Sequence, residues 1–153
     1  MIRVAQFILA ALLLGSINGE PGDAPITAPR LGVAMLDGID PVSYRQVGGP
    51  VFGQAAFKAR HDGQDVLFKD RANRARFLAT PSRFLPAYGG ACALALTQGV
   101  LIDGNPRIWL IVDGQLHLFY DHGTRSLFQL EQAANKALAE RLWRERSRSD
   151  QAT

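Results

Sequence analysis

Residues 108–120 read IWLIVDGQLHLFY, and this stretch decides the fold. Five apolar residues, the turn signal Asp113–Gly114 and a second apolar run predict an antiparallel β-hairpin, because Asp-Gly readily adopts the positive φ angles of a tight turn. The first strand is apolar on both of its faces, which is typical of a strand that is covered on both sides. We therefore expect this strand to lie centrally in the core.

A second hairpin is predicted upstream, over residues 55–68. Apolar and polar residues alternate on both sides of Asp62–Gly63, which is again an Asp-Gly turn signal. Asp70 can then cap a helix that runs to Ala79, and Pro81 stops it. The chain from residue 55 to residue 79 therefore predicts a hairpin followed by a helix.

Two further helical segments complete the pattern. Residues 91–98 follow Gly89–Gly90 and stop at Gly99, which predicts a short buried helix with Cys92 near its first turn. Thr124 can cap a long last helix, because apolar residues recur after it at helical spacing. These residues are Leu127, Leu130, Ala134, Leu138 and Leu142. Two hairpins with three or so helices predict an α+β domain with a small antiparallel sheet and a long C-terminal helix, and no fixed-period repeat is evident.

The first 19 residues have the layout of a cleavable secretory signal peptide. Arg3 precedes the apolar run 7–14, which is shorter than the roughly 20 apolar residues of a membrane-spanning helix. We expect cleavage after Gly19, with a second small-residue site after Ala24, and then a flexible lead-in over residues 20–35. The protein is therefore predicted to be exported, to the periplasm or the extracellular space, without a transmembrane span after cleavage.

Residues 36–145 are expected to form one domain, with a polar tail over 146–153, because the roughly 130 residues left after cleavage fit a single core. The chain carries 17 Lys and Arg against 14 Asp and Glu. This mild excess lacks the dense basic stripe of a nucleic-acid-binding protein. Four arginines near the C-terminus could contact an anionic surface, or could simply complement the helix dipole. They are Arg141, Arg144, Arg146 and Arg148.

Several short motifs resemble those of exported YHS-domain proteins. Residues 38–44, GIDPVSY, resemble the family's G-Y-D-P-V-A-Y, and residues 81–93, PSRFLPAYGGACA, resemble its P-x-x-Y-x-P-x-Y-G-G-Y-C-A. Asn73–Arg74 with Phe77 resembles the family's N-R…F, and residues 106–118 resemble its P-x-x-W and V-D-G-x-L-Y-L blocks. The motifs occur in the family's order, so the resemblance implies a YHS-like fold. It implies no single reaction, since such domains accompany both metal-handling and oxygenase proteins.

The chain departs from the compact, cysteine-bearing members of the wider family, which resemble metal modules. Ser43 stands where their first cysteine would be, and Lys69 and Asn73 stand where the later pair would be. A thiolate-rich zinc site therefore cannot form from these positions. The sequence requires no cofactor and leaves a metal site open, although the spacing of the remaining candidate ligands gives it no support. These candidates are His61, Cys92 and His117, with His122 and nearby aspartates.

Cys92 is the single cysteine of the chain, so no internal disulfide can form. It follows Gly89–Gly90 near a predicted helix N-terminus, where backbone N–H groups would stabilise a thiolate. Spacing assigns no base to it, however, and a nucleophile needs one within hydrogen-bond reach. Cys92 is therefore a buried inert residue, a catalytic thiol, a metal ligand or a link to a second chain.

The leading hypothesis is an exported, non-catalytic binding or accessory module for a small ligand, a metal or a partner protein. Its binding residues would lie in an apolar, aromatic cleft near Tyr88, Cys92 and Trp109, because aromatic side chains commonly line ligand pockets. The alternatives are a thiol-dependent enzyme that uses Cys92, and a protein held at an anionic surface by its arginine-rich C-terminal helix.

Overall fold

The computed structural model describes residues 33–151, so the predicted signal peptide and most of the predicted lead-in lie outside the described residues. The fold is α+β, as expected, and ends in a long helix. The strands are β1 (Gln54–His61), β2 (Gln64–Phe68), β3 (Asn105–Val112) and β4 (Gln115–Phe119). The α-helices are α1 (Arg71–Ala79), α2 (Ala93–Thr97), α3 (His122–Leu130) and α4 (Gln132–Gln151).

Both predicted hairpins are confirmed, and they form two separate two-stranded antiparallel sheets. Each turns at its Asp-Gly pair, and all four residues of these pairs have positive φ. The angles are 45° at Asp62, 77° at Gly63, 49° at Asp113 and 75° at Gly114. This is the turn chemistry that a tight hairpin requires.

The two hairpins belong to two similar units, a repeat that the sequence pattern does not reveal. β3 begins 51 residues after β1, at residue 105 against residue 54, and α3 follows α1 at the same offset, at residue 122 against residue 71. Both helices have an aspartate N-cap: Asp70 accepts from the amide of Asn73 at 2.8 Å, and Asp121 from that of Thr124 at 2.7 Å. We call residues 35–84 the first unit and residues 87–135 the second unit.

Close backbone approaches occur at equivalent places in the two units. The amide of Gly53 donates to the carbonyl of Gly38 at 2.8 Å, and the amide of Gly104 donates to that of Gly90 at 2.9 Å. A Cβ atom added to Gly53 would lie 2.3 Å from a backbone atom of Leu67. One added to Gly104 would lie 2.4 Å from the Cβ of Leu118. Each hairpin therefore needs a glycine at this point, and the repeat lies in backbone geometry more than in side-chain identity.

The last predicted helix is divided, because the chain leaves helical geometry at Glu131. The N-cap of α3 is Asp121 and not the predicted Thr124, which is instead the partner of Asp121 in a capping box. The break separates Leu127 and Leu130 from the buried side of α4, and their side chains are 56% and 78% exposed. α4 in turn continues to Gln151, so residues 146–151 of the predicted tail are helical.

The largest core cluster joins α2, α4 and the second hairpin. Cys92 stands at the N-cap position of α2, one residue before the helix begins, and α4 packs Ala139 into the same cluster. A second cluster fills the first unit around Phe68 and Phe77. Among residues 33–151 no helix has both the length and the apolar character that crossing a membrane requires.

Candidate functional site

An open cleft of about 440 Å³ lies on the first unit. One wall is the 3-10 turn Ser43–Arg45, and the other is the C-terminal end of α1 with the turn that follows it. Three of the residues that line the cleft are arginines, and none of the lining residues is acidic. The lining residues are Val42, Arg45, Gln46, Arg76, Ala79, Thr80, Arg83 and Phe84.

Arg45 is the innermost of the three arginines. Its Nη2 donates to the carbonyl of Gly114 at 2.9 Å, so the hairpin tip of the second unit holds the side chain in place. Its Nη1 is buried and has no hydrogen-bond partner among the described residues. Burial, and next the positive charge of Arg83, lower the pKa of Arg45. A guanidinium nevertheless stays charged at neutral pH, so the cleft holds a fixed positive charge.

Phe84 brings two of the guanidinium groups together. The Cζ atoms of Arg45 and Arg83 lie 5.5 Å and 6.0 Å from the centroid of this buried ring. Both contacts are within the range of a cation–π interaction, which offsets part of the repulsion between two like charges. The cleft is therefore electropositive at its aromatic end.

Behind the cleft, the fully buried carboxylate of Asp40 organises both walls. Its Oδ1 accepts from the amide of Val42 at 2.8 Å. Its Oδ2 accepts from the amide of Lys69 at 2.9 Å and from the side chain of Asn73 at 2.6 Å. The amide nitrogen of Gln46 donates to the Oδ1 of Asn73 at 2.8 Å, which ties the loop to α1. This network fixes the spacing between the two walls.

The positions compared above with family cysteines meet around this network. Ser43 Oγ donates to the carbonyl of Asp40 at 2.6 Å and accepts from the amide of Val51 at 3.0 Å. Lys69 Nζ donates to Gln46 Oε1 at 2.5 Å. At these positions the chain has a closed hydrogen-bond network in which each of the three residues makes a defined contact.

The three aromatic-cleft candidates from the sequence do not share one surface. Tyr88 and Cys92 lie in the core cluster of the second unit, where Cys92 is fully buried. Trp109 belongs to another cluster and packs edge-to-face on Tyr44, with ring centroids 5.4 Å apart. Alternation along β3 explains this, because Trp109 and its neighbour Ile108 point to opposite faces of the hairpin.

Tyr88 is buried beside two rings of the second unit. Its ring centroid lies 5.5 Å from that of His117 and 6.1 Å from that of Trp143. Burial, helped by the charge of Glu140, raises the pKa of Tyr88 to about 12, and its hydroxyl has no partner among the described residues. Tyr88 is therefore neutral at physiological pH and is enclosed in the core.

The candidate metal ligands are separated. His61 packs edge-to-face on Phe77 in the first unit, with centroids 5.4 Å apart. His117 is buried in the second unit, its Nδ1 lies 3.0 Å from the carbonyl of Gln115, and burial lowers its pKa. Within residues 33–151 no three His, Cys, Asp or Glu side chains come together as a group that could hold a metal ion.

The sequence did not single out the arginines of the cleft. Arg45 and Arg76 are 31 residues apart, Arg76 and Arg83 are 7 residues apart, and the three match no local motif. At the equivalent position of α3, 51 residues after Arg76, stands Leu127. Comparisons of the chain with protein-family models, with curated proteins and with solved structures found no match.

Proposed function

We propose that this chain is an exported, YHS-like binding or accessory module without a catalytic role of its own. Its ligand is a small molecule that enters the cleft between the 3-10 turn Ser43–Arg45 and α1. The single observation that carries the proposal is the open cleft itself, whose volume of about 440 Å³ lies in the usual range of small-molecule sites.

The rigidity of the walls supports this proposal. Asp40 joins the loop, the end of β2 and α1 through hydrogen bonds of 2.6 to 2.9 Å, so the cleft exists before any ligand arrives. A preformed site loses less conformational entropy on binding than one that must be assembled. Cys92, in contrast, is fully buried, which weighs against the thiol-enzyme alternative because a nucleophilic thiol must meet its substrate.

Filling the cleft tests the proposal. Ala79 is exposed at its edge, so Ala79→Trp should obstruct the cleft without disturbing the core. Leu130→Trp is the matched control, since Leu130 is the exposed equivalent on the second unit. We expect small-molecule mixtures to perturb backbone NMR signals of the cleft residues in the wild type and in Leu130→Trp, and not in Ala79→Trp. Perturbations that persist in Ala79→Trp, or that centre on Tyr88 and Trp109, would contradict the proposal.

A second candidate function, contact with an anionic surface, is favoured by the outer face of α4. Arg141, Arg144 and Arg148 are all exposed, and their spacing places them on one side of the helix. Changing Arg141 and Arg148 to Gln should weaken binding to vesicles containing phosphatidylglycerol, while Glu145→Gln should not. The binding should also fade at high salt. Equal binding to phosphatidylcholine vesicles would argue against this contact.

A further inference from the structure

We infer that the ligand of the cleft is a small molecule that carries an oxyanion, either a carboxylate or a phosphate, bound by Arg45, Arg76 and Arg83. This inference rests on the proposed binding function and adds the chemical class of the ligand.

The charge of the cleft gives the first argument. In the described part of the chain, no salt bridge joins any of these three arginines to a carboxylate. Like charges held close together without a counter-ion destabilise the fold, and a bound anion removes that repulsion. Guanidinium groups also match the geometry of carboxylate and phosphate, because they can donate two parallel hydrogen bonds.

The second unit gives a further argument at the position of Arg76. α3 begins 51 residues after α1 and has the same aspartate N-cap, and Leu127 stands where α1 has Arg76. Leu127 is exposed, so this capped helix forms without a cation at that position. Arg45 and Arg83 lie in 3-10 turns that α2 and α4 replace in the second unit, so the comparison applies to Arg76. A structural requirement of the capped helix therefore does not account for Arg76.

The three arginines differ in how firmly the structure holds them, and this difference assigns each a role in binding the anion. Arg45 is held by Gly114, so its guanidinium is the fixed positive charge of the cleft. Arg76 and Arg83 are exposed and can adjust to the ligand. Thr80 adds a neutral hydroxyl to the same lining. Such a set suits one small anion with several acceptor oxygens.

The test is a titration with inorganic phosphate and with succinate, followed by NMR and calorimetry, with sodium chloride at matched ionic strength and neutral succinamide as references. We expect saturable binding of at least one anion, centred on the cleft. Arg76→Leu copies the second unit and Arg83→Ala removes a second cation, and each should weaken binding about tenfold or more. Arg71→Leu is the control, since Arg71 is exposed on the same helix outside the lining. Arg45→Lys keeps the charge and should still weaken binding, because an ammonium lacks the planar group that stacks on Phe84 while it donates to Gly114, so the charge is no longer held in place.

The outcomes separate the two proposals. Phosphate binding that depends on the arginines identifies a phosphorylated ligand, and succinate binding identifies a carboxylic acid. If neutral succinamide binds and Ala79→Trp abolishes that binding, the inference of an oxyanion ligand is wrong and the proposed binding function of the cleft stands. Anion binding that is unchanged in Arg76→Leu and Arg83→Ala, or the absence of binding by both anions, would overturn the inference. If no compound of any charge enters the cleft, both proposals fail.

Discussion

Replacing Asp40 with asparagine should destabilise the protein by about 2 kcal/mol. The carboxylate accepts three hydrogen bonds and has no access to solvent. The asparagine side chain has one acceptor oxygen. Even if this oxygen still accepts the hydrogen bonds from Lys69 and Asn73, the amide of Val42 then faces an NH₂ group. A buried donor left without a partner costs about 1–3 kcal/mol, and two charge-assisted bonds become neutral ones.

One effect acts in the opposite direction, because asparagine carries no charge and is easier to bury than a carboxylate. This is why we expect about 2 kcal/mol, although the weakened charge-assisted bonds add to the cost of the unpaired donor. The free energy of unfolding would be measured by urea titration with linear extrapolation. Asp65→Asn is the matched control, since Asp65 pairs with Lys58 at the surface, at 3.1 Å, and such pairs contribute at most about 1 kcal/mol. If Asp40→Asn cost no more than Asp65→Asn, the role given to Asp40 would be refuted.

Three further predictions concern the second unit. Cys92 is fully buried, so iodoacetamide should label it only after denaturation, and rapid labelling of the folded protein would show that the thiol is accessible. Burial holds the pKa of His117 below its ordinary value of 6.5, so the unfolded chain takes up the proton first as the pH falls. The free energy of unfolding should therefore decrease as the pH drops below about 6.5. Urea titrations of His117→Val, which copies Val66 of the first unit, should lack this decrease. Gly104→Ala should cost about 1–3 kcal/mol by calorimetry, because the new methyl group would lie 2.4 Å from Leu118 Cβ, and a neutral result would mean that the hairpin can relax.

Much of the fold could be predicted because its signals are local. The Asp-Gly pairs set both hairpin turns, and Asp70 caps α1 as the sequence indicates. The prediction of one long last helix was wrong at Glu131. Apolar spacing continues through this residue, whereas the backbone leaves helical geometry there and α4 begins at Gln132. Leu127 and Leu130 therefore became exposed although their spacing predicted burial.

The candidate site was harder to predict than the fold. Tyr88 and Cys92 flank the predicted turn at Gly89–Gly90 and Trp109 lies on the predicted hairpin, and strand alternation turns Trp109 toward a different core cluster from the other two. The arginine cleft combines a loop residue, a helix residue and a turn residue, which come together only because the Asp40 network docks the loop on α1. Nothing in the local pattern around each arginine marks it as part of a common site.

The sequence by itself determined the α+β class, the two hairpins and the capped helix α1, since turn, cap and alternation preferences act between residues that are near neighbours in the chain. The tertiary structure alone decided the two-unit repeat, the enclosure of Cys92 and the convergence of Arg45, Arg76 and Arg83. These depend on which distant segments pack together. That packing is set by the burial of apolar surface across the whole chain, and no short window of residues contains it.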